Sequence, residues 1–154
     1  MDLRQVFAKT LSKLMKENDK ICILDADLSK PNGTSPLHKE FPERCFNVGI
    51  SEANMAGIAA GLSSYGFKPI ILTFTPFATR RTCDQIAVSL AYSMQKAIIV
   101  GTDPGITAEN NGGTHMAFED VSVMRAIPRV LIYDAVDAYQ LSQAIPQLLN
   151  YDGV

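Results

Sequence analysis

Leu3, Phe7, Leu11 and Leu14 recur at helical spacing with charged residues between them, which predicts an amphipathic helix over Leu3–Glu17. The pattern then changes. Short, nearly continuous apolar runs at Ile21–Ala26, Cys45–Val48, Pro69–Phe74, Ala97–Gly101 and Val130–Tyr133 have the length and β-branched content of buried strands. Further helices are predicted over Glu52–Tyr65, Pro76–Met94 and Asp137–Leu149. The last opens on Asp137 followed by Gln140, a capping-box arrangement, while Pro146 should kink or shorten it. Strands alternating with helices predict an α/β fold, a mainly parallel sheet of about five to six strands with helices on both faces.

In the helix after the second strand, Met55, Ile58, Ala59 and Leu62 form one stripe, with Glu52 on or beside it. A carboxylate at a helix start gains from the helix dipole, but burial makes it costly unless a partner meets it. In open parallel sheets ligands collect beyond the carboxyl ends of the strands. Asp27 follows the first predicted strand and Glu52 the second; Phe74 and Phe77 follow the third, Asp103 the fourth, and His115 lies in the loop beyond. These residues are therefore expected along one edge of the sheet.

Composition narrows the partners. With 154 residues, 47% of them apolar, the chain can bury a core of its own. A net charge of −2 and the lack of a basic patch argue against nucleic acid or an anionic membrane as partner. The N-terminus opens directly into a helix, so neither a signal peptide nor a membrane span is expected, and a cytoplasmic location follows by default. Cys22, Cys45 and Cys83 are odd in number and set among apolar residues, as reduced core thiols would be, and no metal site is expected from them. Asn32-Gly33-Thr34 reads as a turn, and His38, between Leu37 and Lys39, as a surface histidine. No glycine-rich phosphate loop occurs.

Gly49-Ile50-Ser51-Glu52-Ala53-Asn54-Met55, then Lys68-Pro69-Ile70-Ile71-Leu72 and Thr73-Phe74-Thr75-Pro76-Phe77, resemble the pyrimidine-binding domain of transketolase and its thiamine-diphosphate relatives. That family carries G-I-x-E-x-N-M, a strand, and T-F-x-x-F. Asp25-Ala26-Asp27-Leu28 matches its A-D-L, and Gly112-Gly113-Thr114-His115 its D-G-x-T-H loop. With these motifs in order, the resemblance covers nearly the whole chain. It implies that Glu52 hydrogen-bonds the aminopyrimidine ring of the cofactor and promotes the imino tautomer that takes the proton from the thiazolium carbon. It places Phe74 and Phe77 at the pyrimidine pocket, Phe77 as the stacking residue, and Asp27 among the cofactor contacts. His115 would lie near the hydroxyls of the substrate and its reacting carbon. An arginine that reaches substrate phosphate or the subunit interface corresponds to Arg80 or Arg81, the latter if Asp84-Gln85 fixes the register. Asn111 stands where relatives have aspartate and Asp103 where many have histidine, departures that bear on donor recognition.

The resemblance also implies what lies elsewhere. The family's diphosphate domain carries G-D-G followed by asparagine, and this string is absent here. Thiamine diphosphate would be shared with a diphosphate-binding subunit or domain that also holds Mg2+ or Ca2+. The chain would be a single pyrimidine-binding domain, 1–154, without the diphosphate and C-terminal domains, and inactive alone. A homo- or hetero-oligomer is implied, acting on sugar phosphates and transferring a two-carbon ketol unit between them. Gly57, Ala60 and Gly61 would allow close packing across an interface, although internal packing accounts for them equally well. The alternatives are a component of a deoxyxylulose-phosphate synthase or 2-oxo acid dehydrogenase, and a non-catalytic assembly module of the same fold. Thr73–Thr79 and the Gly-Gly-Thr-His loop favour the transketolase branch.

Overall fold

The computed structural model describes residues 2–154. Asp2 caps the first helix, α1 (Leu3–Glu17), by accepting the Arg4 backbone N–H at 3.1 Å. This helix buries Val6, Phe7, Leu11 and Met15, so the inward face is rotated from the predicted one and Leu3 is exposed. There follow β1 (Ile21–Asp25), α2 (Ser35–Glu40), β2 (Cys45–Asn47), α3 (Glu52–Ser64) and β3 (Lys68–Phe74). Next come α4 (Thr75–Ala78), α5 (Cys83–Gln85), a π-helical segment (Ile86–Tyr92), β4 (Ile98–Thr102), a 3-10 turn (Glu109–Asn111), α6 (Asp120–Arg125) and α7 (Ala138–Leu148).

The strands form one sheet in the order β2-β1-β3-β4, and every pairing is parallel. Side chains alternate between its two faces. Ile21, Ile23, Ile70 and Leu72 meet Phe7, Leu11 and Met15 of α1 and Ile145 of α7. Leu24 and Ile71 meet Met55, Ala56 and Ala59 of α3 and Ile86 and Leu90 of the π-helical segment. Burying a side chain of this size stabilises the fold by about 1.5–3 kcal/mol, and these central strands are buried on both faces.

Several predicted elements differ from those observed. The sheet has four strands rather than five or six, because Val130–Tyr133 does not join it. Arg129 adopts φ 68° at the entrance to that stretch, the Leu131 N–H donates to the Val154 carbonyl at 2.8 Å, and the Val154 N–H donates to the Arg129 carbonyl at 3.1 Å. The stretch is thus tied to the chain's last described residue. A cavity of about 550 Å³, lined by Ile98, Val100, Leu131 and Tyr133 among others, separates it from β4.

The helix predicted over Pro76–Met94 is three pieces. The Thr79 and Thr82 hydroxyls donate to the carbonyls of Thr75 and Ala78, both at 2.7 Å, and compete for the groups that hold a continuous helix. α7 passes through Pro146, which lies in its last turn and breaks little; Asp137 caps it as predicted, accepting the Gln140 N–H at 2.7 Å. The buried stripe of α3 is Glu52, Met55, Ala56 and Ala59, whereas Ile58 is exposed. The short helices α2 and α6 lie in stretches without a predicted element. No helix among the described residues is long and apolar enough to cross a membrane.

The three cysteines are free, and Cys22 and Cys45 are buried. Burial pushes the Cys22 thiol up to about 11 against the opposing pull of Arg44, and burial aided by the Asp25 charge pushes Cys45 up to about 12. Because the folded-state values are raised, the stability these thiols contribute is present below the ordinary thiol pKa near 9 and is lost as pH rises through 11 to 12. Urea unfolding at pH 8 and pH 10 should show a loss of about 1 kcal/mol per thiol at the higher pH. That part of the loss should disappear in the Cys22→Ala, Cys45→Ala double variant.

Candidate functional site

The edge at the carboxyl ends of the strands begins where β1 ends. Asp25 has no exposed surface, and its carboxylate accepts from Asn32 Nδ2 at 3.1 Å, Thr34 Oγ1 at 2.7 Å and His38 Nε2 at 2.8 Å. His38 is therefore not the surface histidine its polar neighbours predicted. α2 turns it inward onto a buried carboxylate that needs donors. Asn32 Oδ1 in turn accepts from Thr102 Oγ1 at 3.0 Å, which ties this loop to the end of β4. Asn32-Gly33-Thr34 is a turn, with Gly33 at φ 78°, and both of its polar side chains are buried.

Beyond this anchor Asp27 takes the left-handed conformation, φ 60°, and is held by Asn47 from the end of β2. The Asp27 N–H donates to Asn47 Oδ1 and Asn47 Nδ2 donates to Asp27 Oδ1, both at 3.0 Å. The same Asn47 oxygen accepts the Gly49 N–H at 3.0 Å. One amide thus joins the loop after β1 to the loop that delivers Glu52. Sequence reasoning missed Asn47; the usable signal is an amide side chain two residues before a glycine, a spacing that suits a local side-chain turn.

Glu52 starts α3, and its side chain is 4% exposed. Arg81 Nη1 donates to Glu52 Oε1 at 2.7 Å, the sole hydrogen bond to that carboxylate among the described residues. The Arg81 guanidinium carbon also lies over the Phe77 ring, 3.9 Å from its centroid. His115 meets Phe77 edge-on with centroids 5.1 Å apart and Phe74 at 5.7 Å, and the two phenylalanines are 6.3 Å apart. Glu52, Phe74, Phe77, Arg81 and His115 thus form one cluster. Thr114 Oγ1 lies 2.9 Å from His115 Nδ1 and orients the ring.

The cluster depends on close approach of backbones. The Thr75 hydroxyl donates to the Thr102 carbonyl at 2.9 Å, and a Cβ on Gly101 would come within 2.8 Å of Thr75 Oγ1 and 3.0 Å of its Cα. Only glycine lets α4, which carries Phe77, lie against the end of β4.

Asp27 stands on the adjacent loop, and three further sequence candidates lie apart from the cluster. Asp103 forms an ion pair with Arg4 of α1 at 2.6 Å. Arg80 pairs with Glu119 at 2.7 Å; the Phe118 N–H, the Glu119 N–H and Arg80 together hold the Glu119 carboxyl below its ordinary range. Asn111 lies exposed in the 3-10 turn, with no side-chain hydrogen bond among the described residues.

A buried carboxylate beside an aromatic face, with imidazole at its edge, suits a flat nitrogen heterocycle that offers a ring nitrogen and an amino group. The fit is visible in the structure itself, since a planar N–H-bearing group, the Arg81 guanidinium, already meets both Glu52 and Phe77. The fold is thus an α/β domain with this cluster of Glu52, Phe74, Phe77, Arg81 and His115 beyond the carboxyl ends of its parallel strands. The chain belongs to the transketolase pyrimidine-binding domain family, whose model matches residues 1–153.

It is 47% identical over 98% of its length to a 6-deoxy-6-sulfo-D-fructose transketolase subunit, SqwH, of Clostridium sp. strain MSTE9, covering 47% of that protein. It is 38% identical over 98% of its length to a putative transketolase C-terminal section of Methanocaldococcus jannaschii, covering 48% of it. A split-gene transketolase solved as an inactive β4 tetramer superposes with a TM-score of 0.85 at 38% identity, over 98% of this chain and 48% of that one. The chain spans about half the length of the curated relatives it matches.

Asn47→Ala should remove the three hydrogen bonds that join Asp27 to Gly49. Urea unfolding should show a loss of about 1–2 kcal/mol, the sum expected for partly exposed bonds.

Proposed function

We propose that this chain is the pyrimidine-binding part of a thiamine-diphosphate-dependent transketolase, acting once paired with a diphosphate-binding subunit or domain. The observation that carries the reading is the buried Glu52 carboxylate at the start of α3, set in one cluster with Phe77 and His115. When bound, thiamine diphosphate supplies a thiazolium carbon able to break the bond beside a ketose carbonyl and carry the two-carbon unit. Glu52 would accept and return a proton at its carboxylate oxygen opposite the pyrimidine nitrogen. Phe77 would fix the plane of the ring, with Phe74 backing it; such contacts contribute about 0.5–1.5 kcal/mol beyond area burial. His115, oriented by Thr114, would move a proton to and from sugar hydroxyls.

Asp27, fixed by Asn47, would face the cofactor from the neighbouring loop. Mg2+ or Ca2+ would be held by the diphosphate-binding partner. The outward side of α3 supports association. Gly57 and Gly61 have open space where a Cβ would sit, so packing within this chain does not account for them, and Ile50 and Ile58 nearby are exposed. Donors would be ketoses with a terminal anionic group. Sugar phosphates are the first choice, and the Clostridium relative's name adds 6-deoxy-6-sulfofructose. Arg81 would reach the anionic end of the donor or the subunit interface, while Asp103, Asn111 and Arg80 would bear on donor choice from the rim.

The test is ketol transfer to ribose 5-phosphate from xylulose 5-phosphate and from 6-deoxy-6-sulfofructose, using this chain co-expressed with a diphosphate-binding subunit of the same source. Transfer is expected, and none with either donor from a stable, cofactor-loaded complex would overturn the reading. Glu52→Gln should cut turnover by at least about 100-fold with assembly intact, since it keeps the shape and loses the proton-sharing group. His115→Ala should cost about tenfold or more and should do so unequally between donors. Equal loss with a non-sugar 2-oxo acid would count against its role at sugar hydroxyls.

A further inference from the structure

The pairing of Glu52 with Arg81 bears on how the cofactor enters. A carboxylate as buried as Glu52 is costly without a counter-charge or donors, and its single hydrogen-bond partner within the described chain is Arg81. The same guanidinium lies 3.9 Å from the Phe77 centroid, too close for a second flat group to enter on that face. His115 and Phe74 also flank Phe77, with their ring planes inclined to it at 74° and 55°. The carboxylate oxygen and the ring face that would receive an aminopyrimidine are thus both taken by one planar donor group. Lysine would not imitate it, because an ammonium is neither flat nor forked.

The Arg81 side chain is 46% exposed. It can leave for solvent without unfolding the short segment that bears it, between α4 and α5.

We infer that Arg81 is a placeholder for the cofactor's pyrimidine ring: it satisfies Glu52 and covers Phe77, and cofactor binding requires its displacement. The inference rests on the reading of the site as a thiamine-diphosphate half-site. Its consequence is that part of the cofactor's binding energy is used to break the Glu52–Arg81 pair, so Arg81 weakens binding that Glu52 strengthens. Arg81 is a positioning residue, acting through Glu52.

The test is calorimetric titration of thiamine diphosphate, with Mg2+ present, into the complex of this chain and its diphosphate-binding subunit. Arg81→Met should bind about five- to tenfold more tightly than the native complex, the range expected for removing one charge-assisted competitor. In a Glu52→Gln background the same substitution should give less than about a twofold gain, because the charge-assisted pair no longer exists. Unchanged or weaker binding by Arg81→Met, with the native complex binding normally, would overturn the placeholder and leave the cofactor reading standing. No binding by either complex would overturn both. Should Arg81→Met fail to assemble, Arg81→Lys decides: a gain of about two- to threefold is expected from loss of the flat fork, and no gain overturns the inference.

Discussion

Asp25 closes β1 with no exposed surface, and an ionised carboxylate there costs several kcal/mol unless its lone pairs are used. Asn32, Thr34 and His38 use them, and in doing so they fix the course of the chain from β1 through α2. The constraint spreads from there. Asn32 passes it to Thr102 at the end of β4, while Asp27, two residues on, is locked to Asn47 at the end of β2. Three of the four strands are thereby coupled at their carboxyl ends by side chains, in addition to the backbone ladder. The fourth, β3, runs directly into α4, which Gly101 and the Thr75–Thr102 bond press against β4. A cross-linked rim results, and the cluster around Glu52 and Phe77 stands on it.

Local features were legible in the sequence and long-range ones were not. Glu52, Phe74, Phe77 and His115 could be picked out because each follows a strand in a recognisable string, and a parallel sheet must bring such positions to one edge. The partner of Glu52 could not be read the same way. Arg81 is 29 residues away, and its choice over Arg80 depends on where α4 stops. The same holds for His38 on Asp25 and for Asp103, which pairs with Arg4 some 99 residues distant. Val130–Tyr133 has the composition of a strand, yet β-propensity expresses fit to a neighbour. Its backbone is bonded to Val154 instead of β4. Ile58 failed for a related reason: helical spacing gives the width of an apolar stripe but not its centre, and α3, apolar on most sides, leaves the centre undetermined until it packs.

The proposed function places a demand on the chain itself, because Glu52 is a buried carboxylate that needs a partner. Deleting the carboxylate would relieve that cost and remove the group on which the proposal rests. Supplying a charge from the same chain relieves it reversibly. The side chain that does so must be flat to cover the aromatic face, able to donate, and rooted where solvent can receive it, and Arg81 meets all three conditions. Arg80, one residue earlier, faces outward to Glu119 and meets none of them at the cluster, so adjacent arginines of identical chemistry are separated in role by the backbone break after α4. Both arginines lie in the break between Ala78 at the end of α4 and Cys83 at the start of α5, and a local break in secondary structure thus bears on the charge balance around Glu52.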